Sequence, residues 1–130
     1  MKNILKSVFP FLPATLYYGL IFYVSSRTVE LPVSLPGRHA DKFLHILEFA
    51  VLGWLLAFGF SRIRSLSPRG RTAFALLAGT VLAILDEVHQ SFVPGRNADV
   101  WDAVADVLGV GLGILIFGLV IRRRASRIGR

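Results

Sequence analysis

Residues 72–90, TAFALLAGTVLAILDEVHQ, decide the fold: fourteen uncharged residues, 72–85, run straight into Asp86, Glu87, His89 and Gln90. A helix that crosses a bilayer needs about 20 mostly apolar residues, so fourteen are too few. Backwards the run meets Pro68, Arg69, Gly70 and Arg71, which read as an interfacial turn. Forwards it takes in the acid pair. A crossing here therefore carries two carboxylates inside the membrane. The neighbouring segments call for such a crossing. Residues 8–25 are 18 residues without a charge, 43–60 are 18 residues interrupted by His45 and Glu48, and 103–121 are 19 residues with Asp106 as the one acid. The reading is all-α: a polytopic integral membrane four-helix bundle, one domain over residues 1–130, with helices at about 8–25, 43–60, 72–91 and 103–121.

Composition supports this. Of 130 residues, 54% are hydrophobic and 18% charged, against about 25% charged in an ordinary soluble domain. Mean hydropathy is +0.61. The chain has too little charge to coat a water-facing globule, which disfavours a soluble enzyme, a disordered tail and a fibrous repeat. It has no cysteine, which removes disulfides, thiolate zinc sites and thiol nucleophiles. Residues 1–26 could be mistaken for a cleaved signal peptide, but the apolar stretch is long enough to span.

The net charge of +7 suggests nucleic acid until its placement is read. Lys2, Lys6, Arg62, Arg64, Arg69, Arg71, Arg122, Arg123, Arg124, Arg127 and Arg130, eleven of the 15 basic residues, fall on one side of the four spans. Positive charge in short loops marks the cytoplasmic side, so both termini are expected in the cytoplasm. Anchoring near anionic lipid explains the basic tail, and no nucleic-acid partner is expected.

All eight acids avoid that side: Glu30, Asp41, Glu48, Asp86, Glu87, Asp99, Asp102 and Asp106. Asp41, His45 and Glu48 are spaced four and three apart and share a helix face. Glu48 lies roughly 10 Å into its run at 1.5 Å per residue. Gly79 and Ala83 share a face with Asp86 or Glu87 and Gln90, while Asp102 and Asp106 share one with Gly109 and Gly113. Small residues let helix backbones approach closely. The polar groups are thereby expected to meet in a cavity above a tightly packed zone, at the outer leaflet. Each buried ionisable group costs roughly 2.5–3.5 kcal/mol on insertion scales, so Glu48, Asp86, Glu87 and Asp106 are expensive without a role. Asp41 and Asp102 have a plainer reading as helix N-caps. Pairing with His45, Lys42 or Arg96 is the structural alternative for the deeper acids.

Four chemistries fit. Arg96, after the turn signal Pro94-Gly95, can grip a phosphate, with Lys42 and His45 assisting. A carboxylate or His45 can act as general base at a lipid headgroup. A divalent metal can take ligands from His45, Glu48, Asp86, Glu87 and Asp106, although no standard metal motif is present. Transport of a cation or proton through the acids calls for a dimer of so small a chain.

Two stretches carry a resemblance. One is Asp41-Lys42-Phe43-Leu44-His45-Ile46-Leu47-Glu48-Phe49, followed by Leu52-Gly53. The other is Asp86-Glu87-Val88-His89-Gln90-Ser91-Phe92-Val93-Pro94-Gly95-Arg96, then Asp99, Asp102, Asp106, Gly109 and Gly113. Together they resemble the VanZ-like family of small bacterial membrane proteins, through D-K-x-x-H-x-x-E-[FY], D-E-x-x-Q-x-F-x-P-G-R and D-x-x-x-[DN]-x-x-G-x-x-x-G. Position 106 is Asp where Asn is common in the family, which favours a shared proton or a bound cation. The resemblance implies a multi-pass protein of the bacterial cytoplasmic membrane, in a family named for a member associated with teicoplanin resistance. It attaches no firm activity. The expected function is binding, with or without modification, of an envelope lipid or cell-wall precursor headgroup. On that reading His45, Glu48, Asp86 and Glu87 are the catalytic candidates, and Lys42, Gln90, Arg96, Asp102 and Asp106 the substrate-binding ones. The alternative is a non-catalytic binder or transporter of small cations or drug-like molecules.

Overall fold

A computed structural model describes residues 8–27, 38–96 and 98–128. The basic N-terminal residues Lys2 and Lys6, the loop bearing Glu30, Pro32, Pro36 and Gly37, and the final Arg130 lie outside the described residues. The described chain is all-helical: a 3-10 turn Phe9–Phe11, then α1 (Leu12–Ser25), α2 (Arg38–Ser61), α3 (Pro68–Gln90) and α4 (Val100–Ile128).

Three helices, α2, α3 and α4, are long and apolar enough to cross a membrane. The first is shorter. Pro10 and Pro13 crowd its start, and its α-helical part has 14 residues, roughly 21 Å at 1.5 Å per residue. Helix α3 begins earlier than the apolar run suggests, and Pro68–Arg71 is helix rather than turn. The reason is local. Ser67 is extended, its Oγ accepts from the Gly70 N–H at 3.1 Å, and Pro68 occupies the first helical position, where its missing N–H costs nothing. Helix α4 continues to Ile128 through arginines with good helical propensity. The apolar run ends at Ile121, but the helix does not.

Glycines set the packing. A Cβ on Gly109 would meet the carbonyl oxygen of Ile46. One on Gly113 would meet that of Ala50, and one on Gly53 that of Val110. The backbones of α2 and α4 are therefore in direct contact along a seam that only glycine permits. The pairs 46/109 and 50/113 advance together, so α2 and α4 run parallel, as alternate helices of an up-and-down bundle must. Gly79 admits Val110 from the α3 side. Phe49, Leu52, Ala75, Ala83 and Val110 fill the centre. Tyr18 ties α1 to this body by donating its hydroxyl to the Leu82 carbonyl at 3.1 Å, and Tyr17 does the same to Glu48 at 3.2 Å. Many large apolar side chains face outward, among them Leu16, Phe43, Leu77, Leu108 and Leu115, as a lipid-facing surface requires. Arg62, Arg71 and Arg124 line one pocket. The basic loop and the basic tail thus share one end of the bundle, and the described acids lie toward the other.

Candidate functional site

The first turns of α2 and α4 and the last turn of α3 meet at the end opposite the arginines. Parallel packing of α2 and α4 puts His45 beside Asp106, with Nδ1 and Oδ1 2.9 Å apart. One turn outward, Lys42 donates to Asp102 Oδ1 at 2.5 Å and to Asp99 Oδ2 at 2.9 Å. From α3, Asp86 Oδ2 accepts from Gln90 Nε2 at 2.7 Å and from Ser25 Oγ of α1 at 3.1 Å. Glu87 Oε2 accepts from the backbone N–H of Asp99 at 3.1 Å, which pins the loop between α3 and α4.

These groups converge rather than scatter toward lipid. Asp106, Asp86, Gln90, Asp102, His45 and Glu87 are all buried, Asp106 completely. Glu48 is half-buried. Its side chain has neighbours in charge, since His45, Asp86, Asp106 and Arg96 are near enough to act on it. Arg96 follows a turn closed by its own N–H to Val93 O at 3.1 Å. Gly95 sits there at φ 82°, the left-handed conformation that a Pro-Gly type II turn needs at its third position. This turn folds the guanidinium back so that Nε is buried.

Among the described residues, four buried polar side-chain atoms lack a hydrogen-bond partner: Asp86 Oδ1, Glu87 Oε1, Asp106 Oδ2 and Arg96 Nε. Each such orphan costs about 1–3 kcal/mol, more when charged. Three acceptors and one donor are thus left open at one end of a small bundle. Ligand atoms of His45, Glu87 and Asp106 lie within 4.8 Å of one another, as do those of Asp41, His45 and Asp102. The first set is wholly buried, while Asp41 of the second is exposed. Glu48 and Asp86 belong to neither group.

Some participants have roles that the sequence does not announce. The N-cap of α4 is Asp99, whose Oδ1 accepts from the Trp101 N–H at 3.0 Å. Asp102 and Asp41 instead lie within the first turns of their helices, so the capping role expected of them falls elsewhere. Ser25 and Ser26 bring α1 into the polar end. Ser26 Oγ lies 2.8 Å from His89 Nε2, and the His89 ring stacks on Phe22 at 3.9 Å. A serine pair ending an apolar helix is the only trace that α1 contributes.

A protein of Schizosaccharomyces pombe described as uncharacterised is 31% identical over 110 residues, 84% of this chain and 65% of the yeast protein. The chain thus spans about 65% of its curated relative's length. No solved structure matches. The VanZ/LLP1 family model matches residues 4–121, taking in α1 to α3, α4 as far as Ile121, and every residue of the polar end. With that match and three membrane-capable helices, the chain is a multi-pass membrane protein of the VanZ/LLP1 family.

Proposed function

We propose that this protein binds the phosphate-bearing headgroup of an envelope lipid in the polar end of the bundle, on the outer face of a bacterial cytoplasmic membrane. The observation that carries the reading is the set of orphaned polar atoms on Asp86, Glu87, Asp106 and Arg96. Two helices, α3 and α4, and one turn hold them together, and none of the described residues satisfies them. Arg96 is the anion-facing member, because a guanidinium matches phosphate oxygens in a bidentate way. The distribution of Lys and Arg supports the outward orientation through the positive-inside bias. Relatedness to a yeast protein favours a phospholipid or polyprenyl phosphate, found in both kinds of cell, over a peptidoglycan precursor. The family's association with teicoplanin resistance would then act through envelope lipid rather than through the drug. If the site also turns its ligand over, His45 and Glu48 are the groups placed to move protons.

Native mass spectrometry of the protein with copurified lipids tests this. Arg96→Gln should lose the bound phospholipid, and Arg96→Lys should retain less than the parent chain because it keeps the charge without the fork. Lipid occupancy unchanged in Arg96→Gln overturns the reading. The second reading, a binder or transporter of small cations, is favoured by the excess of carboxylates over cationic groups. It requires a dimer for a continuous path, and it predicts cation flux into vesicles with no lipid dependence.

A further inference from the structure

We infer that His45, Glu87 and Asp106 form the protein part of a divalent-cation site, of the Mn2+ or Zn2+ kind. Two independent observations meet here. The ligand atoms of these three buried side chains, one from each of α2, α3 and α4, lie within 4.8 Å of one another. Separately, Glu87 and Asp106 each keep one buried oxygen with no partner, Oε1 and Oδ2. The other oxygen of each is held: Glu87 Oε2 by the Asp99 N–H, Asp106 Oδ1 by His45. One oxygen anchored and one left open is how outer-shell hydrogen bonds orient a metal-ligating carboxylate.

Geometry permits the ion. Ligands at about 2.1 Å sit about 3 Å apart at right angles and about 4.2 Å apart across the metal. In the metal-free site His45 Nδ1 and Asp106 Oδ1 share a proton at 2.9 Å, and an ion held by Asp106 Oδ2 and Glu87 Oε1 would replace that proton at His45. One imidazole with two carboxylates suits Mn2+, Fe2+ or Zn2+ better than Ca2+. The neighbouring group of Asp41, His45 and Asp102 is a poorer site, because Asp102 is already engaged by Lys42. A cation between Glu87 and Asp106 also explains how so many acids share one dry end of a bundle. It would let an anionic headgroup enter beside Arg96 against them. The site does not depend on that headgroup, since the metal alone is the probe.

The experiment uses the full chain in lipid nanodiscs, stripped with chelator and titrated with Mn2+ alone. One ion should bind per chain. Its electron spin echo should show nitrogen modulation from a single imidazole, absent in His45→Gln. Glu87→Gln and Asp106→Asn should weaken binding by more than the roughly 10–100-fold typical of losing an outer-shell partner, with helical circular dichroism retained. Stoichiometric binding with nitrogen modulation in the parent chain supports the site even if a variant misfolds. No uptake of Mn2+ or Zn2+, uptake without nitrogen modulation, or equal affinity in folded Glu87→Gln and Asp106→Asn overturns it. Lipid occupancy is measured separately, so failure of the metal site and of the headgroup reading are distinguished.

Discussion

Two glycines two residues apart on α4 should respond in opposite directions to the same substitution. At Gly109 an added Cβ would strike the carbonyl oxygen of Ile46 and crowd the Ala50 nitrogen; at Gly111 it would meet nothing within 4 Å. Both lie in mid-helix, where Gly→Ala is intrinsically worth roughly 0.5–1 kcal/mol. Gly111→Ala should therefore stabilise the protein by about that amount. At Gly109 the obstacle is backbone and cannot rotate away. Overpacking of this kind costs about 1–3 kcal/mol, in a membrane where close van der Waals contact is a main force between helices. The net effect of Gly109→Ala is a loss of up to about 2 kcal/mol, and because the intrinsic gain is common to both, the two variants should differ by about 1–3 kcal/mol. Reversible unfolding in mixed micelles, followed by circular dichroism, measures both. The site reports as well. Ile46 follows His45, and Gly109 lies one turn from Asp106, so pushing the helices apart lengthens the 2.9 Å His45–Asp106 contact. Equal stabilities for Gly109→Ala and Gly111→Ala would refute the glycine seam and, with it, the reason these two side chains meet.

Other perturbations test neighbouring parts of the argument. Gly95→Ala forces φ 82° on a residue with a Cβ, at roughly 1–2 kcal/mol, and should swing Arg96 out of its buried position, lowering lipid occupancy in native mass spectrometry as far as Arg96→Gln does. Ser25→Ala leaves Asp86 with Gln90 as its one neutral donor; the expected loss is about 1–3 kcal/mol in the same unfolding assay, whereas Ser26→Ala, exposed to solvent or headgroups, should cost less. Ser67→Ala removes the cap of α3 and should cost about 1 kcal/mol with no change in metal or lipid binding, because it acts at the opposite end.

How much of this is legible in the sequence depends on whether the signal is periodic or relational. Helix identity is periodic, and the acids of residues 86–106 mark the polar end without coordinates. The glycines at 79, 109 and 113 point to close packing because small residues at helical spacing have few other uses. Helix ends are less legible: α3 starts at Pro68 because Ser67 caps it, and the arginines nearby read equally well as a turn. The partners within the site are relational and escape altogether. Nothing in the sequence says that Glu87 rather than Glu48 stands beside His45 and Asp106, because that follows from the rotation of α3 against the α2–α4 seam. Asp99 looks like any loop acid until α4 begins one residue later and Lys42 arrives from another helix.

The position of the acids on their helices separates those the fold can explain from those it cannot. Asp41 and Asp102 lie in the first turns of α2 and α4, where exposed N–H groups and the helix dipole favour negative charge by about 0.3–1 kcal/mol. Asp99 caps α4 and is further compensated by Lys42. Asp86 and Glu87 are the reverse: they occupy the end of α3, where the dipole is unfavourable to an acid and where His89 is the residue the dipole would choose. A sequence selected only for stability would place a carboxamide or a cation at 86 and 87. Instead it retains both acids and recruits Gln90, Ser25 and the Asp99 N–H to hold one oxygen of each, leaving the other oxygen buried and open. On the proposed cation site, stability lost at Glu87 would be recovered when an ion binds it together with His45 and Asp106. On that proposal the polar end is half of a complex, and Glu87 and Asp106 are the positions where binding and folding are coupled.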